Sequence, residues 1–184
     1  NISIPSLHPL SGGKGDILRI GLIGFGNRAV SHANGLGYMH PEDVENKRLD
    51  GTLEDWLLQE NLNVAITGIC DVFDLHAERG LETARNTIRA GGARPVDLPV
   101  KRYLTYQEML NDKDIDAVMI ATPDHWHVPV AIEAASAGKH ISLEKPISTC
   151  IEHGRQLVKA IKKYGVITRN DSEFRTLPKF ARGV

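Results

Sequence analysis

An apolar run at residues 18–23, Leu-Arg-Ile-Gly-Leu-Ile, stops at Gly24, and the chain continues Phe25-Gly26-Asn27-Arg28-Ala29. A buried strand that breaks into Gly-x-Gly-x-x-Ala and passes into a helix is the opening of a dinucleotide-binding βαβ unit. Each small residue has a physical task there. Gly24 permits the tight turn, Gly26 lets the backbone come close to a diphosphate, and Ala29 allows helix and strand to pack. The diphosphate rests on the first N–H groups of the helix, over Phe25, Asn27 and Arg28, where the dipole favours negative charge. Glycine pairs after a strand also make ordinary turns, so the rest of the chain must supply the context.

Further along, apolar strand-like runs alternate with amphipathic stretches. Strands are expected at residues 18–23, 64–70, 117–121, 140–143 and 166–168. Helices are expected at 28–37, 75–90, 107–111, 128–137 and 151–164, with Gly138 and Gly165 closing two of them. This alternation implies right-handed crossovers and an α/β fold with a doubly wound parallel sheet, the Rossmann fold, whose ligands gather at the carboxyl ends of the strands. Residues 37–63 read as an insertion with a short helix at 52–60, and 91–100, with Pro95 and Pro99, as a surface loop.

Charge and apolar content exclude several partners. With 22 Lys and Arg against 23 Asp and Glu, the chain has no general grip on nucleic acid or an anionic membrane. No apolar run approaches the roughly 18 residues that span a bilayer. Cys70 and Cys150 are far apart and lack metal-ligand spacing, so both are expected as small buried apolar residues and no metal site is expected. The chain opens at Asn1 and about 15 polar residues precede the first strand, so a flexible segment at 1–16 and removal of an earlier one are expected. A cytoplasmic and an exported location both fit.

The second strand ends in Gly68-Ile69-Cys70-Asp71. A carboxylate at that place accepts both hydroxyl hydrogens of an adenosine ribose and repels a 2′-phosphate, which favours NAD over NADP. Gly24 and Asp71 stand 47 positions apart (71 − 24), against about 20 in the simplest pattern, and the 37–63 insertion accounts for the excess. Capping the following helix is the alternative role for Asp71, although Asp74 suits that cap better.

Polar groups also gather where two further strands end, at Ala121-Thr122-Pro123-Asp124-His125-Trp126-His127 and at Glu144-Lys145-Pro146. With the glycine turn, these motifs in this order make the chain resemble the glucose–fructose oxidoreductase / inositol dehydrogenase (Gfo/Idh/MocA) family from about residue 17 to 184. The resemblance implies that Ala121, Thr122, Pro123, Asp124 and His127 line the cofactor between diphosphate and nicotinamide. It places Glu144 beside the cofactor, and Lys145 at the nicotinamide and the substrate's reacting carbon. An ammonium there stabilises developing alkoxide charge; a solvated surface lysine is the alternative. His125 equally suits a bond to neighbouring backbone, and Trp126 suits packing or a wall of the substrate mouth.

The resemblance divides the chain into a dinucleotide-binding domain at 17–172 and, at 173–184, the start of a crossing to a mostly antiparallel substrate domain absent from this chain. Arg175 in that crossing contacts substrate or the domain junction, or is an exposed arginine at a helix start. The implied function is hydride transfer between NAD and a sugar, cyclitol or related polyol, with this polypeptide as the nucleotide-binding half, inactive by itself. Full-length family members often form homo-oligomers through the second domain. Two alternatives stay open: glycosidases of the same fold that oxidise, eliminate and re-reduce with a retained NAD, which usually depart from Glu-Lys-Pro, and non-catalytic dinucleotide-sensing regulators.

Overall fold

β1 (Leu18–Ile23) lies inside a six-stranded parallel sheet in a computed structural model that describes residues 17–92 and 98–172. Its last four residues are all buried, as a continuous apolar run requires where helices cover both faces of a sheet. It pairs with β2 (Val64–Cys70) on one side and with β4 (Ala117–Ile120) on the other. β3 (Lys101–Tyr103) flanks β2, while β5 (His140–Leu143) and β6 (Thr168–Asn170) extend the sheet beyond β4. The order β3-β2-β1-β4-β5-β6 reverses direction between β1 and β4. At such a switch point the carboxyl ends of the strands open a crevice in which ligands bind.

Helical connections join the strands: α1 (Asn27–Gly35), α2 (Pro41–Leu49), α3 (Leu53–Leu57), α4 (Asp74–Arg85), α5 (Tyr106–Asn111), α6 (Asp124–Ser136) and α7 (Ile151–Tyr164). Ala29 and Ala33 of α1 pack with Ile20, Leu22, Phe25, Ile66 and Ile69 in one core. A second core joins Val118, Ile120, Ile141 and Leu143 to Val128 and Ala131 of α6 and Leu157 of α7. Each large aliphatic side chain buried in this way contributes on the order of 1.5–3 kcal/mol.

The sheet has one strand more than the apolar pattern predicts. β3 is only Lys-Arg-Tyr, too short and polar to stand out, and its conformation comes from pairing with Gly68, Ile69 and Cys70. β6 runs two residues later than the expected 166–168, because Thr168 is the residue that meets Ile141 in register. The insertion holds two helices instead of one. α2 begins Pro-Glu-Asp, which reads as a polar loop, yet Pro suits the first helical position and the His40 ring caps it, Nδ1 accepting the Glu42 N–H at 3.3 Å. α3 is shorter than the expected 52–60. Met39, Val44, Leu53 and Trp56 form a small core of their own here. Tyr38 fastens the insertion to β2, its hydroxyl donating to the Val64 carbonyl at 3.1 Å and accepting the Ile66 N–H at 3.3 Å.

Helix ends differ too. α4 stops at Arg85 and not near residue 90, and α6 starts at Asp124 and not at 128, so Asp-His-Trp-His is its first turn. Asp74 is the first residue of α4 and not its cap, a place held by Phe73, and its carboxylate pairs with Arg102. Cys70 is buried and burial pushes its thiol up to about 11. Cys150, expected in the core, is instead exposed at the N-cap of α7. Segments 1–16 and 173–184, with Arg175, lie outside the described residues, as do 93–97 of the expected loop. Among the described residues no helix is long and apolar enough to cross a membrane.

Candidate functional site

The crevice begins at the glycine turn. Gly24 has a φ of +83°, in the region glycine occupies without penalty. Its N–H donates to the Cys70 carbonyl at 2.8 Å, and a Cβ there would stand 2.8 Å from the Ala121 oxygen. The fold itself therefore demands glycine at 24. Gly26 is different: its φ of −76° and ψ of −170° suit any residue, and a Cβ on it would meet nothing within 4 Å among the described residues. Nothing among the described residues requires glycine there, and the space beside the start of α1 is open. Gly26 caps α1 without a side chain, so no cap side chain covers the N–H groups of the first turn. Ala29 beneath them is 1% exposed, which leaves Asn27 exposed and Arg28 partly buried on the outer side. Phe25 is equally buried, and its N–H donates to Asp71 Oδ2 at 2.6 Å. Of the three residues expected around a diphosphate, Phe25 is thus already engaged.

That bond closes the long interval between Gly24 and Asp71. The other carboxylate oxygen of Asp71 accepts the Phe73 N–H at 2.8 Å, which makes Asp71 a turn residue leading into α4 and not its cap. Each oxygen keeps one lone-pair direction, the number that the two hydroxyls of a ribose need. His76 Nδ1 lies 3.6 Å from Oδ2.

The second motif follows β4. Ala121 N–H returns to the Ile23 carbonyl at 2.9 Å, Thr122 follows, Pro123 caps α6, and Asp124 stands exposed in its first turn. Thr122 Oγ1 is buried with no hydrogen-bond partner among the described residues, an unmet polar atom at the strand end. His127 is 1% exposed and bridges two loops, Nε2 lying 2.9 Å from the Thr122 oxygen and Nδ1 2.7 Å from the Pro146 oxygen. It ties the Thr-Pro-Asp loop to the Glu-Lys-Pro loop. His125 is exposed; Trp126 is 45% exposed and meets Tyr106 edge-on at 6.3 Å.

Glu144 joins these parts. It is 6% exposed, its N–H bonds the Ile120 carbonyl at 3.1 Å, and Oε2 accepts the Lys145 N–H at 3.0 Å. Oε1 lies 2.8 Å from His32 Nε2 and 3.3 Å from Arg28 Nε. Arg28 and His32, four residues apart, share one face of α1. His32 Nδ1 also faces Asp171 Oδ2 at 3.7 Å, and Asp171 takes bonds from Arg169 at 2.9 Å and Ser142 at 3.4 Å. Lys145 is exposed at the end of this chain of contacts. Sequence reasoning misses His32 and Asp171; the one signal was the Arg28/His32 spacing beside the small buried Ala29 and Ala33. Ligand-type atoms of His32, Glu144 and Asp171 lie within 4.8 Å of one another. Arg28 and Arg169 already offset both carboxylates, however, and His32 faces them with different ring nitrogens, so the cluster reads as a set of charge contacts between α1 and the ends of β5 and β6.

Comparison with known proteins agrees with this geometry. The family described as "Oxidoreductase family, NAD-binding Rossmann fold" (GFO_IDH_MocA) matches residues 18–172. Among curated relatives, Glycosyl hydrolase family 109 protein 1 of Shewanella sp. (strain MR-4) is 33% identical over 145 residues, 79% of this chain and 26% of that protein. An alpha-N-acetylgalactosaminidase of Shewanella oneidensis is 30% identical over 145 residues with the same coverage. The chain thus spans about a quarter of the length of these relatives. Among solved structures, the WlbA dehydrogenase of Bordetella pertussis, in complex with NADH and UDP-GlcNAcA, is 23% identical with a TM-score of 0.65, covering 91% of this chain and 40% of that one. The myo-inositol 2-dehydrogenase of Lactobacillus plantarum is 20% identical with a TM-score of 0.64 and the same coverage. At these identities the solved structures establish a shared fold. The glycine turn, the switch point above it and a family match running from the first strand to the end of the last place the chain in the Gfo/Idh/MocA oxidoreductase family, with its NAD-binding Rossmann fold.

Proposed function

We propose that this chain is the cofactor half of an NAD-dependent oxidoreductase that transfers hydride between nicotinamide and a CH–OH group of a sugar, cyclitol or related polyol. One observation carries the reading: three motifs far apart in sequence are tied together at the carboxyl ends of neighbouring strands. His127 joins the second motif to the third, and Arg28 joins the helix of the first to Glu144 of the third. The open side of Gly26 and the partnerless Thr122 hydroxyl fit a bound dinucleotide. In this reading Gly26, Asn27 and Arg28 hold the diphosphate and Asp71 the adenosine ribose. Ala121, Thr122, Pro123 and Asp124 line the remainder. His127 and Glu144 keep the lining loops in place, and Lys145 supports charge on the reacting oxygen. Bound nicotinamide supplies a two-electron hydride acceptor at C4. The complexes and names of the WlbA and inositol enzymes support a sugar or polyol as substrate class.

A second reading has its own support, since the curated relatives at 30–33% identity bear glycosidase names. Glu144-Lys145-Pro146 favours the oxidoreductase, because the glycosidases of this fold usually depart from that motif. An assay of the protein with its substrate domain separates the two. Growth of NADH absorbance with NAD and a panel of polyols and sugars supports the first reading. Release of p-nitrophenol from p-nitrophenyl α-N-acetylgalactosaminide, without net NADH, supports the second. A dinucleotide-sensing regulator does neither, yet binds. For the present chain, saturable enhancement of NADH fluorescence is expected, and none at millimolar NADH by a folded sample overturns all three.

NAD is the expected cofactor and NADP the weaker ligand. A 2′-phosphate about 4 Å from the Asp71 carboxylate costs on the order of 1–4 kcal/mol, or about one to three decades in affinity. Asp71→Asn keeps one acceptor for the Phe25 N–H and removes the charge. Parallel titrations with NADH and NADPH are expected to find that preference in the wild type and most of it gone in the variant. Equal affinities in the wild type would leave Asp71 as a turn residue only.

A further inference from the structure

We propose that His32 is a positioning residue that acts on Lys145 through Glu144. Three nitrogens gather on the buried Glu144 carboxylate: His32 Nε2 lies 2.8 Å and Arg28 Nε 3.3 Å from Oε1, and the Lys145 backbone N–H donates to Oε2 at 3.0 Å. The last of these fixes where the chain leaves β5, and so where the Lys145 side chain starts. A carboxylate holds such a bond only while its own orientation is held, because Glu has three side-chain torsions to lose. Arg28 reaches Oε1 at 3.3 Å from a side chain one-third exposed, whereas His32 makes the shorter contact from a ring only 15% exposed.

The ring faces a second carboxylate on its other side. Its Nδ1 faces Asp171 Oδ2 at 3.7 Å, and Asp171 is pinned by its own N–H on the Leu143 carbonyl at 2.8 Å and by Arg169 at 2.9 Å. The order Asp171–His32–Glu144–Lys145 therefore runs from the end of β6, across α1, to the end of β5. Each member orients the next, as residues outside a site fix the groups inside it. The ring lies between carboxylates on two different elements. The inference deepens the proposed function, since it rests on Lys145 being the group at the reacting carbon.

Two replacements separate positioning from packing. His32→Gln puts an amide nitrogen near the Nε2 position and keeps a donor to Glu144; His32→Leu fills the volume without one. Amide hydrogen exchange of Lys145, followed by NMR on this chain, is expected to quicken at least about ten-fold in His32→Leu, with an upfield shift of its amide proton. In His32→Gln both are expected within a few fold of wild type. Should the Leu variant fail to fold, His32→Asn replaces it with the same expectation, because its amide nitrogen falls near Nδ1 and faces Asp171. An unchanged Lys145 amide in the Leu or Asn variant, or equal loss in Leu and Gln variants, overturns the proposal. NADH titration of the same samples keeps the two ideas apart. A wild type that binds no NADH removes the functional reading, while the amide data still decide the positioning role.

Discussion

In the proposed full-length enzyme, Lys145→Met is expected to lower turnover at least 10²-fold and to change NADH affinity by no more than a few fold. The asymmetry follows from what an ammonium does at a reacting carbon. It meets little charge on a bound alcohol or ketone and much more on the alkoxide-like oxygen that develops as hydride departs or arrives, so its contribution belongs to the transition state. Losing one such positioned group typically costs 10²–10³-fold in rate. The geometry suits that task, because the Lys145 backbone is fixed by Glu144 while its side chain stands exposed at the strand ends. Met keeps the length and apolar stem and removes only the charge. The measurement is paired, with steady-state turnover and NADH titration on the same variant. Turnover within a few fold of wild type removes Lys145 from catalysis and leaves a surface lysine. A dinucleotide sensor, having no transition state to stabilise, is expected to change in binding alone.

What the sequence makes legible here is local. A strand, a glycine turn and a helix are neighbours along the chain, so Gly24 and Gly26 announce the nucleotide end of the sheet before any tertiary contact is known. The motifs after β4 and β5 are legible for the same reason, as polar residues at the ends of apolar runs. The contacts among them are not. Arg28 and His32 meet Glu144 only because β4 lies between β1 and β5 in the sheet, and no periodicity encodes that order. His127 shows the limit within a single motif. Its residue type marks the loop, but nothing in Thr-Pro-Asp-His-Trp-His tells that both ring nitrogens face carbonyl oxygens of two different loops. Phe25 misleads in the opposite way. The glycine pattern puts it among the residues expected over a diphosphate, yet Asp71, brought back by β2 after the long insertion, already takes that N–H. β3 and α2 are hidden because neither has an apolar stripe, and each is shaped by a partner: Gly68 to Cys70 for the strand, the His40 cap for the helix.

The two glycines of the turn separate folding from binding in one experiment. Any side chain at 24 must adopt a positive φ, at about 1–2 kcal/mol, and also collide with the Ala121 carbonyl, 2.8 Å from the new Cβ. Gly24→Ala is therefore expected to lose about 2–3 kcal/mol and, for a chain of this size, about 5–10 °C in Tm. Position 26 carries neither penalty, since its backbone is extended and a Cβ meets nothing. Aspartate is among the best N-caps and its charge suits the start of a helix, so Gly26→Asp is expected to leave Tm unchanged or raise it slightly. The same carboxylate takes the first-turn N–H groups for itself and faces a diphosphate at short range, with a repulsion on the order of 1–4 kcal/mol. With the lost space added, NADH affinity is expected to fall at least about 10²-fold. A thermal melt and an NADH titration on each variant decide the matter. Gly26→Asp is the informative member, because it is expected to keep or slightly gain stability while losing ligand. If it binds NADH as the wild type does, the start of α1 is not where the diphosphate sits, and the proposed cofactor site loses its foundation however well the chain folds.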